Sequence, residues 1–415
     1  MAGGIAGAIF LLGVLFYGNQ QIAHSLLNEV VSKSWEYQRL SALSPWSLTW
    51  GKVFGPLLFP WALGWSAFAL NRLFESGRDS LYLPVVPVVL FVLTSHAVVL
   101  LVSLLLIRNG SSRRYPVSRY ANLFALLFPL LAWGILLTLE NLSKGPGSVW
   151  SREEVSWFGV SYELESVLTV TLLITCAWAW TGAWRAMSRE LQVKQRPWAW
   201  PLFLLTVVVG LGGFQESVAL AVFQGFLLCG FFFYLNLFSE EKDLLLFRRL
   251  RRSAGLKNWA MFWEILPNWV VSLFFVMILA AVSVLVNFGE SENWLNRNMF
   301  VVSSLIFLMR DLALVVFINM WANHARRDSA SVFAMALLYV FIPILVALVD
   351  QGNAPSIYIL FYPLVQGQSL VGLLMPLVEA VIAWQYAVSR YRRLCREAEV
   401  PGGEARETGC EVTVG

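Results

Sequence analysis

The sequence predicts an all-α polytopic membrane protein with about eleven transmembrane helices. Its composition, its long apolar runs and the uneven distribution of its basic residues lead to this prediction. Of the 415 residues, 58% are hydrophobic and only 13% are charged, whereas soluble domains carry about 25% charged residues. Uncharged runs of about twenty residues recur along the chain, and each is long enough to cross the ~30 Å hydrocarbon layer.

The apolar runs between polar breaks define the predicted spans. The tight turn at 212–216 joins two of these runs into a hairpin, while the run at 356–366 is too short to cross and is predicted to lie at the interface. The predicted spans are 4–26, 54–73, 84–107, 120–142, 164–187, 199–214, 217–238, 268–288, 299–322, 330–349 and 369–389.

The basic residues divide unequally between the two sets of loops that these spans create. One set contains twenty-four Lys and Arg residues and the other contains five, with Arg310 left inside a span. By the positive-inside rule the first set of loops is cytoplasmic. The sequence therefore predicts a multi-pass protein of the bacterial inner membrane, with its N-terminus outside and its C-terminus in the cytoplasm.

The four cysteines do not indicate a disulfide framework. Cys176 and Cys229 lie inside apolar runs, and Cys395 and Cys410 lie near the C-terminus. We expect packed thiols in the spans and reduced thiols in a cytoplasmic tail.

A weak internal repeat relates the two parts of the chain at an offset of 213 residues. The spans follow nearly the same offset, and four residues of the first part (Arg39, Leu43, Trp46 and Trp50) align with Arg252, Leu256, Trp259 and Trp263. Parallel repeats about an axis along the membrane normal are a transporter architecture.

The repeat predicts a domain organisation. Residues 1–198 form the first transmembrane half, 199–389 the second half, and 390–415 a disordered cytoplasmic tail. If each half is a six-helix unit, the first half lacks its opening helix. We therefore expect the recorded start to lie inside a longer reading frame.

Residues 34–55 form the segment with the most specific pattern. Ser44 can cap a helix and Pro45 fits its first turn, so we predict a helix over 27–42, a turn, and a second helix that enters the membrane. Trp35, Trp46 and Trp50 suit the headgroup layer. Two interpretations remain open, an interfacial anchor helix and a site at which Glu36, Gln38 and Arg39 contact a cytoplasmic partner.

This segment resembles the cytoplasmic loop of type-2 ATP-binding-cassette (ABC) transporter permeases. The similarity rests on Trp35-Glu36-Tyr37-Gln38-Arg39-Leu40-Ser41-Ala42-Leu43-Ser44-Pro45-Trp46, followed by Gly51-Lys52-Val53-Phe54-Gly55. A second similar run is Met187–Gln192, ending in Arg196–Trp200. The resemblance also implies short outer helices at 143–163 and 350–368, before the last span of each half.

The resemblance implies that this chain is the permease subunit of an exporter. The coupling segment 27–53 would dock on an ABC ATPase homodimer through Glu36, Gln38, Arg39, Ser44, Pro45, Trp46 and Lys52. The second-half counterpart, within 239–266, would contribute Arg249, Arg252, Trp259 and Trp263. Arg249 and Arg251 replace the acidic and amide residues of the first segment, which argues against symmetric docking.

The chain lacks a phosphate-binding loop of its own. Gly51-Lys52 is followed by Val53 and has no upstream Gly at the required spacing. The resemblance therefore implies that ATP and Mg bind to the separate ATPase subunit, that this chain is not an enzyme and binds no cofactor, and that a second permease chain could complete the assembly. Nucleic acid is not an expected partner.

The basic cluster of the second segment has two interpretations. It comprises Arg248, Arg249, Arg251, Arg252 and Lys257. Juxtamembrane basic residues attract anionic lipid by about 1 kcal/mol each, and docking of a protein partner is the alternative.

Four polar residues lie in the middle of predicted spans: His96, Arg310, Asp311 and Glu379. Since an ionised group at mid-bilayer costs about 2.5–3.5 kcal/mol, such groups should face the bundle interior and find partners. We predict that Arg310 pairs with Glu379, because neighbouring positions 310 and 311 point about 100° apart. The cluster is either a structural ion pair or a polar lining of a translocation path.

Two other classes of function remain open. A polytopic membrane enzyme acting on lipid or peptide would need clustered His, Asp, Glu or Ser at one depth, and the three His residues (His24, His96 and His324) lie in distant parts of the chain. An ion-coupled secondary transporter would use Asp311, Glu379 or His96 as a proton or ion relay.

Overall fold

The computed structural model describes eleven stretches of the chain, and these residues are helical apart from one β-hairpin and the connections. The chain divides into two compact units, Met1–Arg196 and Pro197–Gly415, here called the N-terminal and C-terminal units. The described residues are 11–41, 43–74, 85–108, 154–193, 195, 197–240, 242, 244–286, 294–321, 327–345 and 371–397.

The N-terminal unit is a helical bundle. Its helices are α1 (Gly18–Val31), which continues from a π-helical turn at Leu11–Tyr17, α2 (Ser34–Arg39), α3 (Pro45–Phe74), α4 (Val85–Arg108) and α5 (Leu164–Glu190). α1 packs against α3 and α4, and α5 lies along α4 and also contacts α3. Buried aliphatic side chains of these helices form one core, among them Leu26, Leu57, Leu100, Leu104 and Met187.

A β-hairpin precedes α5. Strands β1 (Glu154–Trp157) and β2 (Val160–Glu163) pair antiparallel. Phe158 and Gly159 between them have φ of 49° and 76°. Two consecutive positive φ values are typical of the two-residue type I′ turn that joins tightly paired strands.

The hairpin corrects one expectation from the resemblance. A short helix was expected within 143–163, but residues 154–163 form strands because polar and apolar residues alternate there around a Phe-Gly turn. The remainder of that segment, and the short helix expected at 350–368, lie outside the described residues.

The C-terminal unit contains eight helices in the part of the chain that is described. They are α6 (Ala199–Gly212), α7 (Val218–Ser239), α8 (Leu244–Gly255), α9 (Trp259–Ile265), α10 (Asn268–Val286), α11 (Trp294–Trp321), α12 (Arg327–Ala336) with a π-helical turn at Leu337–Phe341, and α13 (Val371–Glu397). α7 packs against α6 and α10, while α11 packs along α13 and also contacts α10 and α12. The core of this unit includes Leu204, Phe233, Val276 and Leu312.

The described residues contain 5 helices that are long and apolar enough to cross a membrane. These are Val86–Ile107, Ser166–Glu190, Val218–Ser239, Asn268–Val286 and Arg297–Trp321, and two shorter apolar helices lie at Ala199–Gly212 and Ala330–Leu345. The protein is therefore helical and membrane-spanning. The number of eleven spans stays a prediction, and the predicted span 120–142 lies outside the described residues.

The helix predicted over 27–42 is interrupted. α1 ends before Ser32, Lys33 adopts a left-handed φ of 59°, and α2 begins at Ser34. The hydroxyls of Ser32 and Ser34 each donate to the backbone carbonyl of Glu29 at 3.3 Å. Serine side chains that bond to nearby carbonyls compete with helix propagation, which explains the break.

The last helix is longer than the predicted span 369–389. α13 continues to Glu397, so residues 390–397, which were assigned to the tail, are helical. This stretch contains no helix-breaking residue before Pro401. Residues 398–415 lie outside the described part of the chain.

Candidate functional site

The short helix α2 is attached to the N-terminal unit by its inner side. Trp35 is only 3% exposed and belongs to the core. Arg39 Nε donates to the backbone carbonyl of Glu190, at the end of α5, at 3.1 Å. Because a helix of six residues is unstable by itself, these contacts hold it in place. The headgroup position predicted for Trp35 is therefore wrong, since its ring packs into the protein.

Lys52 supports the same helix from α3. It forms an ion pair with Glu29 of α1, and its Nζ lies 5.5 Å from the centre of the Trp35 ring. Lys52 was predicted to contact the ATPase, but it is only 8% exposed. Its ammonium group is paired within the N-terminal unit, where it joins α1 to α3 beside Trp35.

The opposite side of α2 is exposed. Tyr37 is 78% exposed and Leu40 is 85% exposed. The Glu36 side chain is 66% exposed and lies 3.4 Å from Arg39 Nη1, while Gln38 is half-buried. Glu36, Tyr37 and Leu40, here called the α2 face, thus present one carboxylate between two apolar side chains.

The start of α3 is built as the sequence predicts. Ser44 Oγ accepts a hydrogen bond from the backbone N–H of Ser47 at 3.1 Å, and Pro45 is the first helical residue. A side-chain cap followed by proline fixes both the position and the direction of a helix start. The turn between α2 and α3 therefore has a defined end.

Aromatic stacking fixes the first turns of α3 to α5. Trp50 stacks on Trp180 with ring centres 4.5 Å apart, and Trp46 meets the same ring edge-on at 6.5 Å. Both α3 tryptophans remain partly exposed, at 48% for Trp46 and 39% for Trp50. The segment predicted to couple to a partner is thus braced against α1 and α5.

The counterpart segment of the C-terminal unit consists of α8 and α9. α8 contacts α13 through Arg248 Nη2, which donates to the carbonyl of Leu394 at 3.4 Å, and through the Phe247 and Tyr391 rings. The other basic side chains of this segment are exposed: Arg249, Arg251, Arg252 and Lys257. These four exposed residues are here called the basic surface.

α9 continues the basic surface with aromatic residues. Asn258 caps it by accepting from the backbone N–H of Met261 at 3.1 Å, and none of its residues is buried. Trp259 is 57% exposed and Trp263 is 53% exposed. The predicted counterpart residues Arg249, Arg252, Trp259 and Trp263 are therefore all exposed, and none of the residues of α9 is a buried anchor equivalent to Trp35.

A neutral polar cluster lies inside the N-terminal unit. Asn19 Oδ1 lies 2.9 Å from His96 Nδ1, and Asn19 Nδ2 donates to Ser95 Oγ at 2.7 Å. An amide oxygen only accepts, so His96 carries its hydrogen on Nδ1. His96 is fully buried, its Nε2 has no hydrogen-bond partner among the described residues, and Gly18 provides the space beside its ring.

A charged cluster lies inside the C-terminal unit. Arg310 Nη1 donates to Glu379 Oε2 at 2.7 Å, so α11 and α13 are joined by the pair that the sequence predicts. Arg310 also donates to Asp311 Oδ1 from Nε at 3.2 Å and from Nη2 at 3.1 Å. The guanidinium is long enough to reach its own neighbour, which the helical angle between positions 310 and 311 did not suggest.

Two tyrosines complete this cluster. Tyr234 of α7 and Tyr339 of the π-helical turn both donate to Asp311 Oδ2, at 2.6 Å and 2.5 Å. Tyr339 Oη also accepts from Arg310 Nη2 at 2.9 Å. Arg310 and Asp311 are 2% and 0% exposed, so their full complement of partners offsets the cost of burying the charges.

No pattern in the sequence distinguishes these two tyrosines from the others. Their only signal is a hydroxyl within an apolar run, and Tyr234 and Tyr339 come from helices distant in sequence from Asp311. Tyr339 lies in the π-helical turn Leu337–Phe341, and a π-helical turn at Leu11–Tyr17 leads directly into Gly18 beside His96. Such turns are rare and frequently mark functional positions.

The described residues do not contain a group of three or more His, Cys, Asp or Glu side chains able to hold a metal ion. Cys176 and Cys229 are buried free thiols, and Cys395 is a partly exposed one. Comparison with protein-family models, curated proteins and solved structures finds no match to this chain.

Proposed function

We propose that this chain is the membrane-spanning permease subunit of an ABC exporter, driven by a separate ATPase homodimer that binds ATP and Mg. The main observation that supports this proposal is the exposed α2 face. Its Glu36, Tyr37 and Leu40 are exposed, while Trp35 on the other side is buried. An exposed apolar and acidic surface on a firmly held short helix is suited to receive a protein partner.

The attachments of α2 support a coupling role. Arg39 bonds to the end of α5, and the Lys52–Glu29 pair joins α3 to α1 beside Trp35. A force applied to α2 would therefore reach the ends of three membrane helices. Closure of a bound ATPase could shift these helices between two packed arrangements.

Two parallel halves are part of the proposal. α4 packs along α5 in the N-terminal unit, and their proposed repeat mates α11 and α13 pack along each other in the C-terminal unit. The helix starts at Pro45 and Trp259 each follow a side-chain cap, from Ser44 and Asn258. These correspondences support a repeat beyond the weak sequence match.

The proposed orientation puts both segments, α2 with the start of α3 and α8 with α9, in the cytoplasm of a bacterial cell. The excess of Lys and Arg in the loops of that set supports it. Single cysteines at Tyr37 and Phe158, in a chain lacking its own cysteines, test it. Impermeant maleimide should label position 37 only in inverted vesicles and position 158 only in intact spheroplasts; the reverse result would refute the orientation.

Charge reversal at the α2 face tests the partner. The chain should copurify with an ABC ATPase when the two are co-expressed and that ATPase is encoded by a neighbouring gene. Glu36→Arg should abolish copurification, because it reverses the charge of the exposed surface. Glu163→Arg, at an exposed carboxylate of β2, is the matched control and should have no effect. Equal copurification of both variants would contradict docking at the α2 face.

An ion-coupled secondary transporter is the second candidate, and the charged cluster favours it. Asp311 and Glu379 both contact Arg310 inside the C-terminal unit, as carboxylates of proton or ion relays do. The two candidates differ in energy source. Transport by reconstituted chain with its ATPase should require ATP and persist with an ionophore, whereas transport by the chain alone, abolished by an ionophore, would select the second candidate.

A further inference from the structure

An open cavity lies at the surface of the C-terminal unit between α7, α11 and α12 with its π-helical turn, and Phe231 and Val332 in its wall are exposed. Its volume is about 730 Å³, within the range of small-molecule sites. Aromatic and aliphatic side chains form most of its wall, among them Phe226, Phe231, Phe238, Phe307, Met335 and Val340. An apolar ligand body would fit this wall.

The polar groups of the cavity lie on Tyr234, Tyr339 and Ser304. Tyr234 Oη uses its hydrogen on Asp311 Oδ2 at 2.6 Å, so its oxygen can only accept a further hydrogen bond. Tyr339 likewise uses its hydrogen on Asp311. Ser304 Oγ is buried and has no hydrogen-bond partner among the described residues. The Tyr234 oxygen therefore favours a ligand that donates hydrogen bonds, and the Ser304 hydroxyl can accept one as well as donate one.

The charges behind this wall favour a cation. Arg310 faces two carboxylates, Asp311 and Glu379, so the cluster has one formal negative charge in excess. At low dielectric, a nearby ammonium is attracted and a carboxylate is repelled far more strongly than in water. The electron-rich faces of the surrounding aromatic rings add to this preference.

We propose that this cavity binds amphipathic ammonium compounds, with the alkyl or aryl body among the phenylalanines and the ammonium donating to Tyr234 and Ser304. Binding of such a compound does not depend on the proposed transport function. Only its identification as the exported substrate rests on the exporter proposal. A lipid acyl chain that merely fills the groove would show no preference for a donating head.

Photo-crosslinking tests the proposal with the full chain in nanodiscs of neutral lipid, without the ATPase. The probe is a diazirine-bearing primary alkylamine, and labelled peptides are identified by mass spectrometry. Labelling should concentrate on α7, α11 and α12, and dodecylamine should compete at least tenfold better than dodecanoate. Equal competition by the acid and the amine would overturn the proposal.

Variants separate the cavity from the surrounding lipid. Ala336→Trp should abolish labelling by filling the cavity, whereas Val302→Trp, a 40% exposed position of α11 away from the lining, should not. Ser304→Ala should lower labelling about three- to tenfold and leave the free protein unchanged, because Ser304 Oγ has no hydrogen-bond partner among the described residues. Undiminished labelling in Ala336→Trp and Ser304→Ala would overturn the proposal. Failure of the ATPase to copurify would instead bear only on the exporter assignment.

Discussion

The two units solve the problem of polar groups inside a membrane helix bundle differently. The N-terminal unit contains the neutral cluster of His96, Asn19 and Ser95. In the C-terminal unit the guanidinium of Arg310 and the carboxylate of Asp311 lie on α11, the proposed repeat mate of α4, and they are joined by the carboxylate of Glu379 on α13 and by two tyrosine hydroxyls. A π-helical turn adjoins each cluster.

The two clusters should therefore differ in how much stability is lost when one member is removed. A neutral group that loses its partner costs the desolvation of one dipole, about 1–3 kcal/mol. A buried charge that loses its partner costs about 3–5 kcal/mol. If the units are diverged repeats, the charged cluster is the one on which the stability of its unit depends more.

Removal of the guanidinium should have the largest effect. Arg310→Met leaves Asp311 buried without its counter-ion and should destabilise the C-terminal unit by about 3–5 kcal/mol, against about 1–3 kcal/mol for His96→Leu in the N-terminal unit. The rate of thiol alkylation measures the opening of each unit separately, because Cys176 of the N-terminal unit and Cys229 of the C-terminal unit are both buried free thiols.

The pattern of cysteine alkylation shows whether the unpaired buried charge causes the loss of stability. Arg310→Met should accelerate labelling of Cys229 more than of Cys176. The triple variant Arg310→Met, Asp311→Asn, Glu379→Gln removes all three charges and should recover most of the loss. If the triple variant is as unstable as the single one, packing of the arginine stem outweighs the ion pairs and the comparison fails.

An intermediate loss of stability is expected from adding a methyl group at Gly18, where helices pack closely beside the neutral cluster. A Cβ on Gly18 would lie 3.0 Å from Leu57 Cδ2 and 3.1 Å from His96 Cε1, whereas one on Gly13 would meet only Leu63 Cδ2, at 3.8 Å. Gly18→Ala should therefore be less stable than Gly13→Ala by about 1–3 kcal/mol.

The same thiol assay measures this difference. Both variants add one methyl group to a helical backbone, Gly13 in the π-helical turn and Gly18 at the first position of α1, so the comparison tests mainly the steric contact. Gly18→Ala should expose Cys176 and leave Cys229 protected. Equal protection of Cys176 in the two glycine variants would show that Leu57 and His96 yield without cost, and that the neutral cluster is loosely packed.

Much of the fold could be predicted from local signals. Apolar runs identified the long helices, Ser44-Pro45 identified the start of α3, and mid-span charge identified the Arg310–Glu379 pair. Each of these depends on residues close in sequence or on the cost of placing a charge in lipid. Such signals are strong because the bilayer leaves few alternatives.

The rest depends on tertiary contacts. Whether Trp35 meets lipid or protein, and whether Lys52 faces a partner or Glu29, depends on how α1, α3 and α5 pack. Tyr234 and Tyr339 gained their roles only when separate helices brought them to Asp311. The sequence therefore predicted which residues belong to the candidate site. The structure was needed to distinguish the residues that hold α2 in place from those that are exposed on it.

Replacement of the arginines of the basic surface, on α8, should have the smallest effect on stability. It should have a clear effect on the binding of anionic lipid. Arg249, Arg251 and Arg252 of this surface are exposed beside Trp259 and Trp263, and α10 enters the proposed membrane region directly afterwards. Each arginine should contribute about 1 kcal/mol of attraction to anionic headgroups.

Replacing all three arginines by glutamine should therefore lower the enrichment of phosphatidylglycerol over phosphatidylcholine in the copurified lipid by at least tenfold, without changing alkylation of Cys176 or Cys229. High salt should reduce the wild-type enrichment in the same direction. Unchanged enrichment together with loss of the copurifying ATPase would show that this surface docks protein as the α2 face is proposed to do. The two segments would then be equivalent in function despite their opposite charge, because both would contact the same partner.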